Sequence, residues 1–213
     1  MFFESLESRQ LLSAAVMTFS DGMKITQSGS GSVTIKAGSG HGNSSSAGMN
    51  ISVVENNITQ TNGGPSIGSG SFLIHDNTTG EEMVMSVKPG KSIEIQGGKG
   101  DDTIFFDGAS AGADIQSGDG NDNITVLDQG TASSKIDAGN GDDTIAIVYS
   151  RNAEIKTGNG DDTVLINTSA NPDTGTGGYD YDASNIKVQG QGGSDTVIVY
   201  AGKIKADGKV TIV

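Results

Sequence analysis

Five stretches of this chain set acidic side chains directly behind a glycine-rich turn: GGKGDDTIF from Gly97, SGDGNDNIT from Ser117, AGNGDDTIA from Ala138, TGNGDDTVL from Thr157 and, more loosely, GQGGSDTVI from Gly190. Carboxylates beside glycines bring side-chain and main-chain oxygens together, which is the donor set of a hard cation. The second acidic position falls at Asp102, Asp122, Asp143, Asp162 and Asp195, in steps of 20, 21, 19 and 33 residues. Near-constant steps of this size mark a chain wound into coils, each burying its apolar side only against its neighbours. The long last step holds an insertion over 167–183, rich in Gly, Asn, Asp and with a Pro, that reads as a surface loop.

Stacked coils lie about 4.8 Å apart. The alignment puts Asp102, Asp122, Asp143 and Asp162 in one column, and Asp101, Asn121, Asp142 and Asp161 in a second. Two bare charges at that spacing repel by about 3.5 kcal/mol at an effective dielectric near 20. A divalent cation between successive loops removes the repulsion directly. The loops offer oxygen but neither sulfur nor a nearby imidazole, which argues against zinc, copper and iron. A flexible shell of many oxygens suits calcium better than the strict octahedron of magnesium. The competing reading is a metal-free solenoid in which the same glycines and aspartates only form tight turns.

Two strands per repeat must position these loops. After the acidic pair, Ile104 and Phe106, Ile124 and Val126, Ile145 and Ile147, Val164 and Ile166, and Val197 and Val199 alternate with their neighbours and are expected to point inward. A second strand precedes the glycines, with Ile95, Ile115, Ile136, Ile155 and Val188 in one register. The outward residue before each of these runs Glu94, Asp114, Lys135, Glu154, Lys187, and Lys203 before Ile204, so opposite charges would face each other across rungs, each such pair stabilising by roughly 1 kcal/mol at most. The expected fold is therefore all-β, a right-handed parallel β-helix or β-roll solenoid of about 20 residues per coil.

Upstream of Lys91 the pattern loosens. Val33-Thr34-Ile35-Lys36 followed by Ala37-Gly38-Ser39-Gly40 resembles the second strand and its turn, with His41-Gly42-Asn43 where the acidic pair would stand. Phe72 to Val87 reads as a hairpin around Asn77-Thr78-Thr79-Gly80. The chain thus divides into a short N-terminal segment, 1–17, irregular β coils over 18–90 and the repeat solenoid over 91–213.

Glycine is 33 of 213 residues, without a three-residue period, and there is no tryptophan, which favours a thin core of stacked Ile and Val over a thick globular one. Net charge is −13; from Lys91 onward 19 acids face 9 bases, and 17 of those acids are Asp, the residue of turns and short-reach coordination. No basic stripe exists to neutralise phosphates, so nucleic acid and anionic membranes are disfavoured partners. There is no cysteine for disulfides or thiolate sites, and no apolar run long enough for a transmembrane helix.

GGKGDDTIF fits every position of G-G-x-G-x-D-x-U-x, where U is a large apolar residue, and so resembles the hemolysin-type, or repeats-in-toxin, calcium-binding nonapeptide. The resemblance implies a parallel β-roll in which turn carbonyls and the sixth-position Asp bind Ca2+ between coils. Carried over, the carboxylate ligands are Asp102, Asp122, Asp143, Asp162 and Asp195. The turns supplying the remaining oxygens comprise Gly98, Gly100 and Asp101; Gly118, Asp119, Gly120 and Asn121; Gly139, Gly141 and Asp142; and Gly158, Gly160 and Asp161. Only the first loop keeps the leading glycine with the full motif, and about eleven residues separate successive nonapeptides, so ions are expected along one edge only. Leu6-Glu7-Ser8-Arg9-Gln10-Leu11-Leu12-Ser13-Ala14 resembles the LEPR-XLL segment that opens many large bacterial surface and exported proteins, with Ser8 in place of proline, and implies export or sorting.

The expected function is a secreted or cell-surface bacterial structural module, used in adhesion, matrix or filament assembly, with calcium as folding ligand and with itself or a surface polysaccharide as partner. Two other readings compete. An outward Thr103, Asn123, Thr144, Thr163 and Thr196 ladder could bind ice or carbohydrate, although the next column, Phe105, Thr125, Ala146, Leu165 and Ile198, is mixed and better suited to packing against the N-terminal half or a neighbouring chain. A carbohydrate-active β-helix enzyme, a polysaccharide lyase or epimerase, would use Tyr149, Arg151, Tyr179 and Tyr181 on the opposite edge, but with His41 and His75 far upstream that set is thin.

Overall fold

The computed structural model describes residues 15–38, 47–55, 70–88, 90–128, 132–148, 150, 152–167 and 186–200. These residues form β-strands and turns and contain no helix, so none is long and apolar enough to cross a membrane. The LEPR-XLL-like segment, the 167–183 insertion beyond Asn167, the Tyr149, Arg151, Tyr179 and Tyr181 set, His41 and the C-terminal residues from Ala201 lie outside the described residues.

From Lys91 onward, strands alternate between two eight-stranded sheets. The first sheet receives β7 (Ile93–Gly98), β9 (Ala113–Asp119), β11 (Ser134–Asn140), β13 (Ala153–Asn159) and β15 (Ile186–Gly192). The second receives β8 (Asp101–Gly108), β10 (Asn123–Asp128), β12 (Thr144–Val148), β14 (Thr163–Asn167) and β16 (Thr196–Tyr200). Each strand pairs in parallel with the strand two further along, as repeated units stacked in register require. The sequence placed the pre-glycine strand as ending before the turn. Instead β9, β11 and β13 run on through the glycines, because Gly118, Gly139 and Gly158 are themselves directly paired, and the turn proper shrinks to the few residues ending at the inner Asp.

The inward alternation is as expected. Ile104, Phe106, Ile124, Val126, Ile145, Ile147, Val164, Ile166, Val197, Ile95, Ile115, Ile136, Ile155 and Val188 are buried, Val199 packs partly buried against them, and residues of both sheets join in one hydrophobic cluster. The outward charges also fall as the sequence places them: Lys135 lies directly between Asp114 and Glu154, and Glu154 between Lys135 and Lys187. One step along the same strands Asp137 faces Lys156, with Oδ2 and Nζ 3.9 Å apart.

The upstream half extends both sheets. β1 (Ala15–Thr18), β2 (Lys24–Gln27) and β3 (Val33–Lys36) form an antiparallel meander whose last strand pairs in parallel with β7, matching Val33 to Ile93 and Ile35 to Ile95. β4 (Ala47–Glu55) pairs in parallel with β8, and β5 (Ser71–Asp76) and β6 (Glu82–Ser86) continue outward as the expected hairpin around Asn77–Gly80. β3 and β4 therefore sit where one further repeat would, and β4 to β6 extend the second sheet sideways from β8. The two meanders are tied together at their turns: the Ser20 amide and hydroxyl both donate to Glu81 Oε2, at 2.6 and 2.8 Å.

Phe72 of β5 and Phe106 of β8 stack inside this junction, 6.0 Å between ring centres at 20°, both with no exposed area. Truncating Phe106 removes both the transferred area and the stacking partner. We expect Phe106→Ala to cost about 3–5 kcal/mol, read as a shift of the urea midpoint.

Candidate metal-binding turns

The alternation that buries Ile104 and Phe106 carries two residues further back and turns Asp102 inward as well. The same holds for Asp122, Asp143 and Asp162; all four are between 1 and 2% exposed. The two acidic columns thus differ in kind. The inner one faces the core, while Asp101, Asn121, Asp142 and Asp161 point to solvent.

Each column is a hydrogen-bonded ladder, and the two run in opposite senses. In the inner ladder the amide of Asp102 donates to Asp122 Oδ1 (2.8 Å), that of Asp122 to Asp143 Oδ1 (2.8 Å), that of Asp143 to Asp162 Oδ1 (2.9 Å) and that of Asp162, at 3.4 Å, to Asp195 Oδ1. In the outer ladder the amide of Asn121 donates back to Asp101 Oδ1, that of Asp142 to Asn121 Oδ1, that of Asp161 to Asp142 Oδ1 and that of Ser194 to Asp161 Oδ1, at 2.8–2.9 Å. A third ladder joins Asp119, Asn140 and Asn159 through their side chains, at 2.7 and 2.8 Å. The inner ladder begins at Met49, whose amide donates to Asp102 Oδ1 at 2.6 Å from the position an aspartate holds in the later repeats.

The turns can come this close only with glycine at their tips. Gly120, Gly141 and Gly160 lie at φ 132, 130 and 138°, and a Cβ on any of them would strike the carbonyl of the corresponding glycine one repeat earlier. The carbonyls of Asn140 and Asn159 accept the amides of Gly120 and Gly141 of the preceding repeat, at 2.8 Å each.

The electrostatics of the inner column are unbalanced. Asp122 Oδ2, Asp143 Oδ2 and Asp162 Oδ2 are buried and have no hydrogen-bond partner. Burial raises the Asp143 carboxyl to about 7, against the help of the Asp122 amide and with the charges of Asp122, Asp162 and Asp142 adding to it. Burial likewise raises Asp122 and Asp162, partly offset by the amides of Asp102 and Asp143 and by the hydroxyls of Ser117 and Thr157 respectively. A buried anion without a partner is costly, so the column must gain either protons or a cation.

The chain matches no protein-family model, no curated protein and no solved structure. The chemistry of the turns has therefore to be read from their donors. Among the described residues no point gathers three or more His, Cys, Asp or Glu side chains, so an ion here would draw on few carboxylates and complete its shell with carbonyl oxygens. Such a donor set fits calcium, and it fits zinc, copper or iron poorly.

Sequence reasoning found both acidic columns and missed that one is internal. The missed signal was in the alternation, since Asp102 shares the parity of Ile104 and Phe106. The Asn140 and Asn159 ladder and the terminal Met49 carry no motif and emerge only from pairing.

Proposed function

We propose that the chain is a calcium-binding structural module of the bacterial exterior, a right-handed β-roll of about 20 residues per coil whose turns take up Ca2+ between coils. The observation that carries this reading is the column of buried, unpartnered oxygens at Asp122, Asp143 and Asp162. When bound, calcium would supply the positive charge that these carboxylates lack and would draw in carbonyl oxygens of the glycine turns. The nonapeptide resemblance of the loops and the export-like opening segment support the same reading, and with it a role in adhesion, matrix or filament assembly. Affinity would be that of extracellular modules, about 10⁻⁴–10⁻³ M, so that calcium outside the cell acts as a folding signal.

The test is a calcium titration from EDTA to millimolar metal, followed by circular dichroism and sedimentation velocity on one sample. We expect β-structure to rise with calcium, and an increase in particle size if assembly is part of the role. Unchanged dichroism across the titration overturns the reading.

A further inference from the structure

The five acidic loops are not equivalent, and the residue at the first position of each separates them. That position is Gly97, Ser117, Ala138, Thr157 and Gly190 in turn. In the first loop Asp102 is fully engaged within the protein: Oδ1 accepts the Met49 amide at 2.6 Å and Oδ2 accepts the Gly98 amide at 3.1 Å. Oδ2 reaches back into its own loop because Gly97 leaves room; a Cβ there would collide with it. In the fifth loop Asp195 Oδ2 takes up the same room, for a Cβ on Gly190 would collide with it, while Oδ1 accepts the Asp162 amide at 3.4 Å.

In the three loops between them the first position is filled by Ser117, Ala138 or Thr157, all buried, and the space into which the carboxylate would fold is occupied. These are the loops whose Oδ2 atoms at Asp122, Asp143 and Asp162 lack a hydrogen-bond partner; the Ser117 and Thr157 hydroxyls ease the first and last, and Asp143, behind Ala138, has no such neighbour. The loop that best fits the nonapeptide, GGKGDDTIF, is therefore the one whose aspartate is already satisfied.

Resting on the calcium reading above, we propose that Asp122, Asp143 and Asp162 are the carboxylate ligands of this chain, at most three ions binding, and that Asp102 and Asp195 close the two ends of the column and are not ligands. The first-position glycine marks an end of the array, and a side chain there marks a metal site.

Calorimetric titration of the full chain with Ca2+, together with equilibrium dialysis, tests this. Wild type should bind no more than three ions. Asp102→Asn and Asp195→Asn should keep the same number, with affinities within about twofold, whereas Asp143→Asn should lose an ion or weaken binding at least about tenfold. Four or five ions in wild type, or loss of an ion in Asp102→Asn, overturns the assignment and leaves calcium binding intact. Absence of calcium binding in wild type overturns the calcium reading itself. If Asp102→Asn does not fold, the wild-type count and the Asp195→Asn and Asp143→Asn variants decide the matter.

Discussion

Millimolar calcium should raise the melting temperature of this protein by about 10–20 °C over its value in EDTA. A ligand that binds only the folded state stabilises it by RT ln(1 + [L]/Kd), about 1.4–1.8 kcal/mol per site at ten to twenty times Kd. Three sites give about 4–5 kcal/mol, and for a chain of this size each kcal/mol moves the midpoint by about 2–4 °C. Most of the change should lie in the repeats from Ile93 onward, because the unpartnered oxygens of Asp122, Asp143 and Asp162 lie there. Scanning calorimetry in EDTA, in magnesium and in calcium measures it. Equal shifts with magnesium and calcium would contradict the assignment of the ion, and no shift with either would contradict a metal role.

In chelator, the same carboxylates should make the protein more stable as the pH is lowered from 8 towards 5. Asp143 is pushed up to about 7, and Asp122 and Asp162 are raised in the same direction, burial being the main cause in each. A carboxyl whose folded pKa lies above its ordinary value of 3.8 holds its proton in the folded state over a range where the unfolded chain has lost it. Between about 4 and about 7, then, folding takes up protons and stability falls as pH rises, by up to about 1.4 kcal/mol per pH unit for each proton so held. Bound calcium would flatten this slope, because ions and protons would compete for one set of oxygens and a calcium-loaded column would hold no excess proton to lose as pH rises. Melting curves at pH 5 to 8, with and without calcium, should therefore converge at the acid end and diverge at the alkaline end. A chelator midpoint that climbs with pH would show that the inner column holds no excess proton.

The repeat half was legible because its signal is redundant. Five copies fix the register, and once Ile104 is aligned with Ile124 the pairing of Lys135 with Asp114 and Glu154 follows. Val33-Thr34-Ile35 could be placed beside the repeats for the same reason. The antiparallel strands upstream of it have no copies to align, and their order in the two sheets is set by contacts such as Phe72 on Phe106 that leave no local pattern. At the turns, sequence alone counts charges and cannot weigh them. Asp101 and Asp102 are identical neighbours, yet one is in water and the other inside the molecule, and only a strand parity followed past the apolar residues tells them apart. The difference between Gly97 and Ser117 is plain in the sequence, but its meaning depends on which way an Oδ2 swings, and that is a property of the packed structure.

The opposed ladders also bear on how such a chain could lengthen. From Asp102 to Asp195, every junction between neighbouring repeats offers the same pair of contacts, an amide given upward to an inner carboxylate and an amide given downward to the side-chain oxygen of an outer Asp or Asn. A tandem duplication of one unit would enter the stack with each of its turn amides and acceptors already matched on both sides. The array is thus pre-adapted to gain or lose whole units by genetic duplication, with Met49 as the fixed stop at its beginning.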